Sequence, residues 1–203
     1  SGLMKIKGRY LVSAERDQVW IALNDEAVLS RCIPGVKTLE KISNTEFEAT
    51  VTAKVGPVKA IFSGEVTLSD LDPPNGYRIS GEGQGGVAGF AKGTCLVNLA
   101  EAQAQTELTY EAEAQVGGKL AQIGSRMVVG VAKKTADQFF EAFKAEVEGK
   151  TFEASDGSDE DKVIEVLQGG GGSSGSASRA RHGKSVTDAG LLNNAGGTSS
   201  SGP

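Results

Sequence analysis

The chain has 203 residues but only one histidine, two cysteines and one tryptophan, and aromatic residues make up 5% of it. The histidine, His182, sits in Ser178-Arg179-Ala180-Arg181-His182-Gly183-Lys184, and everything before it is histidine-free. Ser-His-Asp and Cys-His catalysis, facial-triad iron and His-ligated zinc therefore have no source in the body of the chain. Cys32 and Cys95 are too few for a disulfide framework or a four-thiolate zinc site. Basic residues are also in deficit: Lys+Arg number 21 against Asp+Glu 26, a formal net charge of -5, which speaks against nucleic acid as a partner. No run of about 18 apolar residues is present to span a bilayer. The N-terminus has no basic-then-apolar secretory pattern, so a cytoplasmic location is expected.

Glycine is plentiful, at 28 residues, and it marks the expected domain organisation. Residues 150–203 contain 11 Gly and 10 Ser, including the run Gly169–Gly172, with little apolar content beyond Val163-Ile164, Val166-Leu167 and Leu191-Leu192. Such a composition predicts a flexible Gly/Ser-rich tail, placing His182 outside the folded part. Residues 1–3 read as a tag remnant. Residues 4–149 are the expected folded domain, with 16 basic and 19 acidic residues. That length is enough for one proper core.

Within it, Ile6, Gly8, Tyr10 and Val12 alternate with Lys5, Lys7 and Arg9 as in a half-buried strand. Ser13 is the expected N-cap of a first helix carrying Val19, Trp20 and Leu23, and Asp25 to Cys32 forms a second helix stopped by Pro34-Gly35. Period-2 strands follow at Phe47–Val55, Val58–Leu68, Tyr77–Gly81, Cys95–Leu99 and Leu108–Val116. After Gly117-Gly118, apolar residues at Leu120, Ile123, Met127, Val131, Phe139, Phe143 and Val147 predict a helix of about 30 residues, roughly 45 Å long. The expected fold class is α+β: a curved antiparallel sheet of about seven strands wrapped around one long C-terminal helix.

The order and spacing of several short stretches resemble a known family. They are Val19-Trp20 with Asp25, Cys32-Ile33-Pro34-Gly35, Gly56-Pro57-Val58 with Phe62 and Gly64, then Gly93, Thr106-Glu107-Leu108-Thr109-Tyr110, Gly117-Gly118-Lys119-Leu120-Ala121 with Gly124, and Phe139-Phe140. Across about 145 residues this resembles the G subunits of carbon monoxide dehydrogenases. These belong to the helix-grip superfamily (SRPBCC) with START lipid-transfer domains and birch-pollen-allergen-like proteins. The resemblance implies a non-catalytic accessory protein of a molybdenum-containing CO dehydrogenase or related hydroxylase. It also implies a hydrophobic small-molecule ligand, a quinone or lipid, and peripheral contact with the inner face of the cytoplasmic membrane. Members that anchor to membranes use an amphipathic C-terminal segment. Here Val163, Ile164, Val166 and Leu167 are flanked by Asp159, Glu160, Asp161 and Glu165, charges that anionic lipid repels.

The ligand-binding candidates are Trp20, Phe47, Phe62, Tyr77, Phe90, Tyr110, Ile123, Met127 and Val131, all expected between sheet and long helix. Small inward residues (Gly8, Ala49, Ala53, Ala60, Gly64, Gly81, Ala112 and Ala114) thin the filling and favour a pocket over a packed core. Gly81-Glu82-Gly83-Gln84-Gly85-Gly86 matches a dinucleotide fingerprint in letters but opens no helix, so it reads as a hairpin at the cavity mouth with Phe90 at its tip. No Asp or Glu falls in phase with the inward residues of these strands, the main argument against an enzyme. No catalytic residue, metal ligand or cofactor is expected. The rivals are a START-like cyclase or hydrolase, which requires a buried polar pair, and an interaction module with a filled core.

Overall fold

The computed structural model describes residues 3–155; of the expected tag remnant (1–3) and tail (150–203), residues 1–2 and 156–203 lie outside the described residues, whereas 150–155 continue the long helix. By its internal contacts the chain divides into Ser1–Thr151 and Phe152–Pro203, and of the second unit only 152–155 are described, as helix. The first unit contains a seven-stranded, wholly antiparallel sheet: β1 (Met4–Val12), β2 (Val36–Ser43), β3 (Glu46–Val55), β4 (Val58–Asp72), β5 (Gly76–Gln84), β6 (Phe90–Ala102) and β7 (Gln105–Gly117). The spatial order is β1-β7-β6-β5-β4-β3-β2, so six strands run as a meander and β1 closes the far side. Two short helices, α1 (Arg16–Leu23) and α2 (Glu26–Cys32), bridge β1 and β2; α3 (Lys119–Ile123) and the long α4 (Ser125–Ser155) follow β7. This is the expected helix-grip class.

Three details differ from the sequence expectation, each for a local reason. The N-cap of α1 is Glu15, whose amide donates to Gln18 Oε1 at 3.4 Å. Ser13 is occupied elsewhere: its amide donates to Glu148 Oε2 at 2.8 Å and its hydroxyl accepts from Gln105 at 3.0 Å, tying the β1–α1 loop to α4 and β7. Strand β2 has no counterpart among the expected strands. Its register shifts twice, between Val36 and Thr38 and between Lys41 and Ser43, and these irregularities break the period-2 pattern. Finally, the long helix is interrupted at Gly124, whose φ of 105° no helix accommodates, so its first turn stands apart as α3.

Sheet curvature has a direct cause. A Cβ built on Gly64 would lie 2.0 Å from the Glu82 carbonyl oxygen, and one on Gly93 would lie 2.3 Å from that of Glu113. Neighbouring strands approach there more closely than any side chain allows, which lets the sheet bend around the helix. Apolar side chains fill the concave side unevenly. A main cluster gathers Val12, Val19, Leu23, Val28, Phe47, Leu68, Tyr77, Leu99, Leu108 and Tyr110 with Phe140, Phe143 and Val147 of α4. A second, smaller cluster of Val55, Leu120 and Val128 is ringed by half-buried residues, among them Phe62, Ile123 and Val131.

Candidate functional site

Between these clusters the concave face of the sheet borders a cavity of about 390 Å³. Its floor is made by the smallest inward residues, Gly64, Gly81, Gly83 and Gly93 with Ala49, Ala91, Ala112 and Ala114, and its larger walls are Val51, Phe62, Val66, Ile79 and Cys95. The register explains the match: Val66 faces Gly81, Gly81 faces Gly93 and Gly93 faces Ala114 across adjacent strands, so three inward positions in one row carry almost no volume. Glu65, Glu82, Lys92 and Glu113 border the cavity only from the alternate positions, whose side chains the strand pleat turns to the other face. Burial pushes the Cys95 thiol up to about 11, leaving it neutral and inert at physiological pH. A larger groove of about 770 Å³ lies on the opposite face, where Ser63, Thr67, Ser80, Gln84, Thr94, Lys92 and three glutamates give it a lining of polar and charged side chains.

The nine candidate residues separate into distinct groups. Trp20, Phe47, Tyr77 and Tyr110 belong to the main cluster, with Trp20 half-buried and tilted against Tyr77 at 5.1 Å between ring centroids. Phe62 lines the cavity itself. Ile123 and Val131 join Phe62 in packing on the small cluster beside the cavity. Met127 is 46% exposed and sits against the β3–β4 turn, where a Cβ built on Gly56 would lie 3.0 Å from its sulfur. Phe90 is not inward. It pairs with Gln84 and Gly117, in phase with the outward residues, and its ring covers Gly117. The hairpin tip is instead a 3-10 turn, Gly86–Ala88, which presents Val87 at 84% exposure.

The acidic residues need one correction. Strands β4 and β6 run further than the alternation suggests: Glu101 continues the inward phase beyond Leu99, opposite Thr106, whereas Asp70 lies in a bulge of β4 with a φ of 50° and turns toward outward-facing Arg78. Both lie at the end of the sheet remote from the cavity, where they pair in solvent with Arg78 at 3.2 Å and Arg16 at 3.4 Å. The long helix adds a carboxylate that strand periodicity cannot reveal. Asp137 accepts a hydrogen bond from the Tyr10 hydroxyl, beside the stacked rings of Tyr10, Phe140 and Tyr110. That hydrogen bond holds Asp137 below the ordinary carboxylate range, while burial and the same bond raise Tyr10. Both groups are thus shifted away from neutrality, opposite to what an acid–base pair working near pH 7 requires. The Tyr110 hydroxyl is buried without a partner among the described residues.

Known proteins align with this architecture. Residues 8–148 match the carbon monoxide dehydrogenase G subunit (CoxG) family. Among solved structures, a conserved protein from Geobacillus kaustophilus shares 33% identity with a TM-score of 0.67, over 71% of this chain and 95% of that one. A START superfamily protein from Mycobacterium smegmatis (14% identity, TM-score 0.56, 71% of this chain and 97% of that one) shows the same fold. So does the Zhui aromatase/cyclase of Streptomyces sp. R1128 (14%, TM-score 0.56, 74% and 96%). Curated protein sequences give no match. With a family match over most of the described residues and START-type neighbours for its fold, the chain belongs to the CoxG family of carbon monoxide dehydrogenase G subunits.

Proposed function

We propose that this domain is a non-catalytic carrier of one long apolar ligand of the quinone class, serving a molybdenum-containing CO dehydrogenase or related hydroxylase at the inner face of the cytoplasmic membrane. The observation that supports ligand carriage is the gap between two separate apolar clusters, floored by glycine and alanine. A volume of about 390 Å³ falls in the lower part of the range for small-molecule sites. It suits a ring system with the first part of a chain, leaving a longer tail to run outward past the half-buried small cluster. Family membership supports the oxidoreductase as partner. The residues bordering this solvent-open pocket contribute apolar contact, with Phe62 and Ile79 as walls.

The test is mass spectrometry of an organic extract of protein purified without detergent, followed by titration of the delipidated protein with menaquinone and ubiquinone. The reading expects a co-purified isoprenoid quinone and a rise in melting temperature on titration. An extract without quinone, together with an unchanged melting temperature for both quinones, overturns it.

A further inference from the structure

The charges of the domain are segregated by end. Segments 51–64, 83–93 and 114–130 form the β3–β4 turn, the β5–β6 turn and the β7–α3–α4 junction; they contain five cations and no acid, and the nearest acids in sequence, Glu65, Glu82 and Glu113, flank them on the sheet side, with Glu82 opposite Lys92. The rest of 4–149 holds eleven cations and nineteen acids. These three segments lie together: Met127 packs on Gly56, Gly85 lies under the Phe62 ring, and Gly89 abuts Gly117 and Gly118. They surround the small cluster, at the end of the cavity remote from the main core.

Four of the cations are placed where the fold itself gains nothing from them. Lys54 and Lys59 are exposed and directly opposite one another across the hairpin, a like-charge pairing that costs stability. Lys119 and Arg126, also exposed, occupy the first turns of α3 and α4, the positive ends of those helices. Among the described residues none of the four forms an ion pair, whereas on β1 Lys5 and Arg9 are paired with Glu113 and Glu107. Two apolar side chains project from the same end, Val87 at 84% exposure and Met127 at 46%. Long basic side chains around exposed apolar tips match a bilayer interface, where the stems enter the headgroup layer and the charges meet anionic lipid.

We infer that this end of the folded domain is a docking face for an anionic lipid bilayer. The choice of lipid over an acidic protein rests on the reading that the cavity takes an apolar ligand, because a bilayer is where such a ligand resides. The acidic remainder of the domain orients the molecule, since an anionic surface attracts one end and repels the other. Each interfacial cation contributes roughly fivefold to affinity for an anionic surface, so reversing two of them reduces affinity by at least about twentyfold.

The test is co-sedimentation of the full chain, delipidated, with phosphatidylcholine vesicles alone or containing about one third phosphatidylglycerol. The inference expects binding to the anionic vesicles that weakens with salt, is lost by at least about twentyfold in K54E/K59E, and is reduced in V87D. The control is Lys144→Glu, which makes the same change of charge per site but lies eighteen residues along α4 from Arg126, about 27 Å away. Equal loss in the control, no loss in K54E/K59E, or no vesicle binding by the parent chain each overturns the docking face; circular dichroism verifies the fold of every variant. Quinone titration without vesicles separates the two readings: retained quinone binding with absent vesicle binding removes the docking face alone, and the converse removes the carrier reading alone.

Discussion

Replacing Ala112 by leucine tests whether the space on the concave face of the sheet is real room for a ligand. Ala112 is half-buried on the cavity floor, opposite Ile6 on one side and Cys95 on the other. The substitution adds three carbons, which at about 0.8 kcal/mol per buried CH₂ yields about 2.4 kcal/mol of transfer free energy. Loss of leucine rotamer freedom offsets about 0.5–1 kcal/mol, leaving a net stabilisation of about 1.5 kcal/mol. For a chain of this size that corresponds to a rise of roughly 3–6 °C in melting temperature. In a core already filled, the same side chain costs about 1–3 kcal/mol by overpacking, so the two readings differ in sign as well as in size. Thermal and urea unfolding of delipidated protein, followed by far-ultraviolet circular dichroism, reads the difference directly. Quinone binding should weaken in the same variant, since leucine occupies the ligand's volume. A melting temperature lower than that of the parent refutes the argument and favours the interaction-module rival.

Phe143→Ala removes a ring that is 0% exposed beneath the main cluster, and it should cost about 3–5 kcal/mol in urea unfolding. Met127→Ala should cost less than about 0.5 kcal/mol, and a loss comparable to that of Phe143 would mean that the mouth packs as part of the core. Alkaline pH provides a further test, because burial raises both thiols, Cys32 and Cys95, to about 11 from an ordinary 9.0. An unfolded chain ionises them first, so the stability they contribute is complete below pH 9 and is lost as pH rises through 11. The fall in melting temperature from about pH 8 to about pH 11 should therefore be shallower in the Cys32→Ala/Cys95→Ala double variant, and identical slopes would contradict the assigned burial.

The class of fold was determined by the sequence alone, because strand and helix periods are written in the apolar pattern. Alternation from Phe47 to Val55 and from Leu108 to Val116 marks strands, and three- and four-residue steps from Met127 to Val147 mark the long helix. The same pattern shows which inward positions are small, since Ala49, Gly64, Gly81, Ala112 and Ala114 all border the cavity. Where two patterns compete locally, the chain is not legible: β2 carries two register shifts, and Gly124 stops a helix that the spacing of Leu120 and Ile123 continues. Aromatic size misleads in the same way. Large rings are expected to line a pocket, yet Phe47, Tyr77 and Tyr110 fill the main cluster and Phe90 turns outward, because a cavity exists where side chains are absent.

Only the tertiary structure decided what meets across the fold. Asp137 and Tyr10 are 127 positions apart and no single-strand or single-helix period relates them; helix packing on β1 makes the bond. The segregation of charge has the same origin. Lys54, Lys59, Lys119 and Arg126 are scattered over more than 70 positions of sequence and become one face because antiparallel strands return their turns to a common end. Local pattern follows from each residue's own chemistry and immediate neighbours, whereas the cavity, the polar pair and the charged end depend on distances between segments that only the folded chain sets.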